Sequence, residues 1–346
     1  MKVLAIRSDF VHHGEHSGYK QILNYTKPYK IIGVNERSSV KQSKILNAYC
    51  WPYEFVGYRY RQEIDLVHHL YADEFFRFST RLFNIPIIGT FHQPPDLLER
   101  DVIYGDLRGR IAKLTHRLNK NRFKHLAAAI VTNPNQAEVL EKVMPKERIH
   151  AIPLGLHVDR LRPFFNAIDE QKSKRQVITV GNWQRDWDFY FELVKQSPGL
   201  QFVLVNRKLD EHYRHMALEI DHLSFYENVN DEELYQLYAE SDVQFLPIKG
   251  MAASNAIMDG LALGCPLVIT DIGSSAYAQV DDIVKGYAQS DVSDALAQIN
   301  SFINLPPSIR QDTRKACHVY AQQFDWKIIA ERTLALYQQV LMKARS

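Results

Sequence analysis

The stretch DVQFLPIKGMAASNAIMDGLALGCPLVITDIG, residues 242–273, decides the fold. Two short apolar runs in it, residues 243–246 and 267–270, have the length and composition of buried strands. Between them, a loop of small and polar residues leads into a mostly apolar segment that ends at Gly264, as helices closed by a glycine do. The stretch therefore predicts a strand–helix–strand unit of a parallel sheet.

Ser254 and Asn255 stand where this helix begins, and both are residue types that cap helix N-termini. In an open α/β sheet such a helix begins at the carboxyl ends of the strands, where ligands bind and where the helix favours phosphate. Asp259 follows one turn later on the same face. The pattern indicates a phosphate site with a carboxylate beside it, although an ordinary strand–helix–strand unit without a ligand shares the pattern.

This stretch resembles the nucleotide-sugar site of the family-four retaining glycosyltransferases. That family has an Asn, a short apolar run, a carboxylate, a small residue, then Gly-x-Pro and an apolar strand ending in Thr-Asp. The matching residues are Asn255, Asp259, Gly260, Gly264-Cys265-Pro266 and Thr270-Asp271. The resemblance implies that Asp259, in place of the usual Glu, holds the ribose of a nucleotide. Where the family often has a second Glu, this chain has Met251.

The rest of the chain alternates apolar strand candidates with helical segments, which predicts parallel sheets covered by helices. The strand candidates are residues 3–6, 30–34, 65–70, 86–90, 127–132, 150–153, 177–181, 202–205 and 223–226. The fold class is therefore α/β. The resemblance implies the GT-B fold, in which two Rossmann-like domains with parallel sheets face an interdomain cleft.

Two further segments resemble the family and place the domains. Residues 152–163, IPLGLHVDRLRP, are similar to its interdomain segment, and residues 324–326, Phe-Asp-Trp, open a long helical segment like the one that ends the family's chains. The polar residues 167–176 suit a linker. The resemblance implies an N-terminal acceptor domain, a C-terminal donor domain and a last helix that crosses back onto the first domain, with bounds 1–162, 163–325 and 326–344.

Length and composition bound the class of protein. The 346 residues favour two domains, and a formal net charge of only +2 gives no reason to expect a nucleic-acid partner. Three widely spaced cysteines, Cys50, Cys265 and Cys317, without a Cys-x-x-Cys pair, favour a reduced, cytoplasmic protein with no zinc site. The first apolar run, before Arg7, is too short for a signal peptide or a membrane span.

The loop after the first strand candidate is rich in His and Gly. Its glycines, Gly14 and Gly18, would let the backbone approach a ligand, and such loops commonly bind anions in α/β folds. The resemblance places His16, Ser17 and Gly18 where the family often has Gly-Gly facing the active site. We expect a phosphate- or acceptor-binding loop here. A surface turn with incidental histidines is the alternative.

His92 follows directly after a strand candidate, in the run IPIIGTFHQPP. Functional residues collect at the carboxyl ends of parallel strands. The run Thr90-Phe91-His92 resembles the family's Thr-x-His, whose His reaches the transferred sugar or the acceptor. The resemblance thus makes His92 the candidate catalytic residue, and a purely structural histidine is the alternative.

The second domain's first loop contains Asn182 and Arg185. The family commonly has Gly-Arg and a following Lys here, both of which hold the donor diphosphate. This chain has Asn182 for the Arg and Trp187 near the Lys position, which leaves Arg185 as the cation of the loop. Arg suits bidentate phosphate recognition, so we expect Arg185 to replace the pair. A surface ion pair with Asp186 is the alternative.

Residues 107–124 carry seven cations and no acid, with apolar residues at helical spacing. Such an amphipathic helix suits an anionic membrane surface or a phosphorylated acceptor, and its narrow apolar stripe equally suits packing on a sheet. A peripheral contact with the inner face of the membrane and a basic solvated face both remain open.

Together these patterns predict a glycosyltransferase that moves a sugar from a nucleotide-sugar donor to a glycan or lipid-linked acceptor. The resemblance implies retention of configuration and no metal or other cofactor, since the donor is itself a substrate. Two alternatives stay open: a non-catalytic GT-B protein that binds sugar or a partner transferase, and a GT-B enzyme that epimerises a nucleotide sugar. The sequence leaves the sugar, the nucleotide, the linkage and the oligomeric state undetermined.

Overall fold

The structure, a computed structural model, describes residues 1–9, 18–35, 51–76, 78–103, 122–166, 175–250, 254–272, 280 and 282–345. The chain divides into two compact units. Unit 1 comprises Met1–Gly155 and Trp326–Ser346, and unit 2 comprises Leu156–Asp325. Each unit is built on one parallel sheet.

Unit 1 contains a sheet with six strands in the described part of the chain, in the order β2-β1-β3-β4-β5-β6. The strands are β1 (Val3–Asp9), β2 (Lys30–Asn35), β3 (Leu66–His69), β4 (Ile87–Phe91), β5 (Ala128–Val131) and β6 (Ile149–Ala151). The helices of its N-terminal segment, residues 1–155, are α1 (Ile22–Thr26), α2 (Trp51–Tyr58), α3 (Ala72–Phe75), α4 (Ser79–Leu82), α5 (Pro95–Leu97) and α6 (Gln136–Glu141). Helical turns of other types span Tyr19–Gln21, Leu98–Ile103, Arg122–His125 and Lys146–Arg148.

Unit 2 also contains a six-stranded parallel sheet among its described residues, in the order β12-β11-β10-β7-β8-β9. Its helices are α7 (Val158–Asn166), α8 (Trp187–Lys195), α9 (Glu211–Leu218), α10 (Asp231–Ala239), α11 (Asn255–Ala262), α12 (Val292–Ile303) and α13 (Pro307–Gln322). Its strands are β7 (Gln176–Val180), β8 (Gln201–Val205), β9 (Leu223–Tyr226), β10 (Val243–Leu246), β11 (Leu267–Thr270) and β12 (Val284–Tyr287). The final helix, α14 (Trp326–Arg345), belongs to unit 1.

The central strands of the unit 2 sheet, β10 and β11, are buried on both faces, which explains why they read as mostly apolar runs. Alternate residues enter two separate cores: Ile178 and Val203 lie in the one that α7, α10, α11 and α13 cover. Val177 and Phe202 lie in the other, under α8, α9 and α12. The strand–helix–strand prediction for residues 242–273 is confirmed, and Gly264 ends α11 with φ at 75°, a left-handed conformation that favours glycine.

The units divide between Gly155 and Leu156, whereas the sequence analysis placed the boundary after Arg162. The reason is that α7 packs into unit 2: Val158 and Leu161 lie in its core. The described part of the chain contains no helix with the length and apolar character needed to cross a membrane.

Candidate functional site

The order of the unit 2 strands reverses at β7, which pairs with β8 on one side and with β10 on the other. In doubly wound sheets, ligands bind at such a reversal, outside the carboxyl ends of the strands. Two loops leave the sheet there, residues 181–186 and 247–250, and we call them the crevice loops. Backbone hydrogen bonds join them: Asp186 N donates to Pro247 O at 2.8 Å and Lys249 N to Gln184 O at 2.9 Å.

Main-chain carbonyls hold the guanidinium group of Arg185 in the first crevice loop. Its Nη2 donates to Val180 O at 2.7 Å and its Nη1 to Trp183 O at 3.2 Å. Burial lowers the pKa of Arg185 to about 10, which still leaves it charged at neutral pH. Its buried Nε has no hydrogen-bond partner among the described residues. Arg185 therefore closes the end of β7, and its role toward phosphate stays a prediction.

Lys249 brings a second cation to the crevice, which the sequence analysis missed. Its Nζ lies 3.2 Å from Asp186 Oδ1, and its side chain is half exposed. The Asp186 carboxylate also accepts from Phe189 N at 3.4 Å and so caps α8. Asp186 thus pairs with Lys249 rather than with Arg185. Only the pairing of β7 with β10 brings residue 249 beside residue 186, and a linear pattern contains no such signal.

Asp186 and Asp188 form an Asp-x-Asp triplet, a spacing that can bind metal, but both carboxylates have contacts within the fold. Asp188 Oδ1 accepts from the Tyr213 hydroxyl at 2.7 Å, and Asp186 has the two partners described above. Among the residues that the structure describes, no group of three or more His, Cys, Asp or Glu side chains could hold a metal ion.

Asn182 ties the first crevice loop to the loop after β8. Its Nδ2 donates to Lys208 O at 3.0 Å, and its Oδ1 accepts from Asn206 Nδ2 at 3.4 Å. The side chain is exposed, and these contacts fix the loop's position. Whether Asn182 also contacts a donor stays a prediction.

Ser254 and Asn255 begin α11 at the carboxyl end of β10, as predicted from the sequence. Ser254 is the N-cap, but its side chain makes no capping hydrogen bond to the helix. Two buried side chains hold the first turn of α11 instead: Tyr238 Oη and Gln244 Nε2 both donate to Ala256 O, at 3.0 and 2.7 Å. The helix N-terminus is thus positioned by unit 2's core.

Gly260 shows why a small residue follows the carboxylate. A Cβ at this position would lie 2.4 Å from Gln244 Oε1, closer than any real contact. Gln244 is fully buried and holds the first turn of α11, so the space beside Gly260 is needed for that amide.

Asp259 lies one turn into α11 with a partly buried side chain. Burial, and then the nearby charge of Asp231, raise the pKa of Asp259 from 3.8 to about 7. Asp231 is itself paired with Arg160, whose Nη2 lies 3.7 Å from Asp231 Oδ2. Asp259 therefore exchanges its proton near neutral pH and can accept hydrogen bonds from hydroxyl groups once it is ionised.

In unit 1 the strand order reverses at β1, which pairs with β2 and with β3. Three of the predicted loop residues, Gly14, His16 and Ser17, lie outside the described residues. Gly18 is described: its φ of 86° requires glycine, and its carbonyl accepts from Gln21 N at 3.2 Å as the Tyr19–Gln21 turn begins.

His92 follows β4 directly, and its imidazole orientation is fixed. Its Nε2 lies 2.7 Å from Leu70 O, so Nε2 carries the proton and Nδ1 is left as an acceptor in the neutral ring. Asp73 Oδ2 accepts from the backbone N–H groups of His92 and Gln93 at 2.6 and 2.7 Å. Burial lowers the pKa of His92, so the ring is neutral at neutral pH.

A buried polar chain lies beneath His92. Tyr19, whose ring packs edge-on against His92 at 4.9 Å, accepts a hydrogen bond from Thr90 at 3.4 Å. His68 joins Thr90 Oγ1 at 2.7 Å to Tyr337 Oη at 2.6 Å. Burial lowers the pKa of His68 to about 3, which keeps it neutral. This chain fixes β3, β4 and α14 to one another below the candidate catalytic residue.

Two further features of the sequence analysis lie outside the described residues. They are residues 107–121, most of the basic segment 107–124, and Met251.

Two doubly wound parallel sheets, each with loops at the point where its strand order reverses, are the components of the GT-B fold. Residues 26–160 match the model of the family described as Glycosyltransferase Family 4, and residues 175–304 match that of Glycosyl transferases group 1. The chain belongs to the GT-B glycosyltransferases that these two models describe.

The chain is similar to several characterised proteins. It is 30% identical over 105 residues to D-inositol 3-phosphate glycosyltransferase of Kribbella flavida, a match that spans 29% of this chain and only 24% of that protein. HepE of Anabaena, solved with UDP, superposes with a TM-score of 0.71 at 14% identity over 98% of this chain and all of that one. Sucrose-phosphate synthase of Thermosynechococcus elongatus gives 0.69 at 15% identity over 99% of this chain and all of that one. At such identities the structural likeness shows the fold alone.

Proposed function

We propose that this chain transfers a sugar from a nucleotide-sugar donor to a glycan or lipid-linked acceptor, with retention at the anomeric carbon and without a metal. One observation carries the proposal: the loops that follow β7 and β10 hold the cations Arg185 and Lys249, and α11, the helix that follows β10, carries Asp259 one turn from its start. That set matches the parts of a nucleoside diphosphate, since the cations and helix suit the phosphates and the carboxylate suits ribose hydroxyls.

The leaving group of such a transfer is a nucleoside diphosphate, on which negative charge develops as the sugar departs. Two positive side chains and a helix N-terminus would stabilise that charge, and positioned electrostatic groups are usually the largest contribution to catalysis. Metal-independent transfer is therefore chemically reasonable here. HepE was solved with UDP and with UDP-glucose, which supports a uridine diphosphate sugar as the first donor to test.

His92 would act on the sugar or the acceptor. A neutral ring with Nε2 committed to Leu70 O presents Nδ1 as a hydrogen-bond acceptor of fixed direction. Such a group can orient a hydroxyl of the sugar or of the acceptor, and orientation lowers the barrier by removing freedom before the reaction.

A thermal-shift panel of nucleotide sugars, followed by donor hydrolysis without acceptor, tests the proposal. We expect one nucleotide sugar to raise the melting temperature, because it binds only the folded state, and slow release of its nucleoside diphosphate that EDTA does not change. With an acceptor, NMR of the product should show the donor's anomeric configuration. A protein that binds a nucleotide sugar but never breaks the bond would be non-catalytic, and an epimerised donor without acceptor would indicate an epimerase.

The relative that acts on D-inositol 3-phosphate makes polyol phosphates worth including beside glycans and lipid-linked sugars. The basic segment 107–124 would favour a phosphorylated or membrane-bound acceptor.

The membrane contact has its own test. Binding of the full chain to vesicles that contain anionic phosphatidylserine should fall steeply as salt rises, because ions screen surface charge over about 8 Å at physiological strength. Neutral phosphatidylcholine vesicles serve as the control. Equal and negligible binding to both would mean that the segment packs on the protein instead.

A further inference from the structure

The first crevice loop, residues 181–186, displays an indole ring to solvent. The side chain of Trp183 is 55% exposed. Trp187 and Trp326, in contrast, are buried at 7% and 1% exposure. A single exposed apolar side chain is common on protein surfaces, so exposure alone means little. Two other features of Trp183 matter: its loop lies at the reversal of strand order, and hydrogen bonds hold the backbone of that loop in place.

The loop is held rigidly on both sides of Trp183. Before it, the Asn182 amide donates to Lys208 O at 3.0 Å. After it, the Arg185 guanidinium donates to the carbonyl of Trp183 itself at 3.2 Å and to Val180 O at 2.7 Å. These contacts fix the backbone while the ring stays outside, an arrangement that lowers the entropy lost when a ligand binds.

The same loop adopts an unusual backbone conformation. Gly181 has φ at 91°, and Gln184, which is not glycine, has φ at 58°. Non-glycine residues rarely adopt the left-handed region, and such conformations cluster at ligand sites, where surrounding contacts enforce them. Here the enforcing contacts include Lys249 N to Gln184 O at 2.9 Å. These contacts keep the backbone of Trp183 at the reversal of strand order, where a ligand is expected.

Two parts of a nucleotide sugar can stack on an indole: the planar base and the C–H face of the sugar ring. The pyranose is bonded directly to the diphosphate, whereas the base is separated from it by the ribose. The backbone carbonyl of Trp183 accepts a hydrogen bond from Arg185 at 3.2 Å, so the residue that bears the indole lies beside one of the proposed diphosphate cations. A ring that stacks on Trp183 is therefore a close neighbour of the diphosphate, which favours the sugar.

We propose that Trp183 is the platform on which the transferred sugar of the donor stacks, with the C–H face of the pyranose against the indole. The inference rests on the proposed donor function and adds a residue that selects for the sugar. It gives the chain a means of distinguishing a loaded donor from the spent nucleoside diphosphate, because only the loaded donor reaches the indole.

Calorimetry on Trp183→Ala, Trp183→Phe and the control Leu218→Ala tests this platform. Leu218 is another exposed apolar residue of unit 2, 63% exposed at the end of α9. The probes are UDP-glucose, UDP-N-acetylglucosamine, GDP-mannose and ADP-glucose, each compared with UDP, GDP or ADP. In Trp183→Ala we expect affinity for the bound nucleotide sugar to fall about tenfold, the scale of an aromatic stacking contact, while affinity for the nucleoside diphosphate is unchanged. Trp183→Phe should retain most of the wild-type affinity for the nucleotide sugar, and Leu218→Ala should retain all of it.

Tryptophan fluorescence gives an independent measurement. Acrylamide quenching of the wild-type chain should be reduced by the nucleotide sugar but not by the nucleoside diphosphate, and Trp183→Phe should abolish that protection. Equal loss of affinity for both ligands in Trp183→Ala, or no loss, would overturn the platform and leave the donor function standing. A wild-type chain that binds none of these ligands would overturn both.

Discussion

Asp259 should make the free protein less stable at alkaline pH and the donor complex tighter there. Its pKa rises from 3.8 to about 7 on folding, so the folded state holds this proton more firmly than the unfolded chain does. Ionising Asp259 therefore costs no stability below pH 3.8, where the carboxyl is protonated in both states. The cost grows as the pH rises from 3.8 to about 7 and is constant above that pH. At about 1.4 kcal/mol per pKa unit the full cost is about 4 kcal/mol, and partial solvent access reduces our expectation to about 2 kcal/mol.

The perturbation is Asp259→Asn, which keeps the shape and removes the charge. Urea unfolding of the free protein at pH 5 and pH 8 should show the variant about 2 kcal/mol more stable than wild type at pH 8, with a smaller gain at pH 5. Asp221→Asn, in an exposed turn before β9, is the matched control and should show no such gain. A variant that is less stable than wild type at pH 8 would refute the burial argument.

Donor affinity should change in the opposite direction. An ionised Asp259 accepts hydrogen bonds from ribose hydroxyls, so Asp259→Asn should weaken binding of UDP, or of whichever nucleotide binds, by about 1–3 kcal/mol at pH 8. Wild-type affinity should rise with pH through about 7 and then level off, and the variant should lose that step. An identical pH profile in the variant, measured by calorimetry, would remove Asp259 from the donor site.

Three further variants test the rest of the site. Lys249→Gln should weaken nucleoside diphosphate binding about tenfold and reduce its salt dependence, whereas Lys195→Gln at the far end of α8 should not; equal calorimetric affinities would exclude Lys249. His92→Ala should lower turnover by about two orders of magnitude at a stability cost of about 1 kcal/mol for the lost Leu70 bond; full turnover would make His92 structural. Gly260→Ala should cost about 1–3 kcal/mol in urea unfolding, and Gly199→Ala, which has open space around its Cβ, is its control.

Local patterns in the sequence located central strands such as β4, β5 and β11 because each is a mostly apolar run that is buried along its whole length. The strand missed was β12, whose sequence VKGY contains a charge and a glycine. Lys285 is tolerated there because its Nζ bonds to Ser301 Oγ at 2.6 Å and lies over the Phe302 ring at 4.6 Å. A partly buried edge strand can accommodate a lysine through such contacts, and the sequence of such a strand has no hydrophobic periodicity from which it could be predicted.

The residues of the candidate site likewise fall into those that a local sequence pattern can locate and those that it cannot. Ser254, Asn255 and Asp259 could be placed from the sequence because one helix presents all of them. Lys249 could not, because its partner Asp186 is brought near by strand order alone. Arg185 shows a third case: its residue type suggested phosphate, but the structure shows that main-chain carbonyls already occupy part of its donor capacity.

Gly155 and Trp326 show how a sequence pattern can encode a contact between distant segments. The Pro-x-Gly segment and the Phe-Asp-Trp segment are far apart in the sequence, yet a Cβ on Gly155 would lie 2.4 Å from the Trp326 ring. One residue further on, Leu156 N donates to Phe324 O at 2.9 Å, and Leu156 forms a parallel bridge with Asp325. The glycine is required because the indole that begins α14 packs flat against the backbone there. Each segment resembles the family on its own, but the contact between them explains why one has a glycine where the other has a tryptophan.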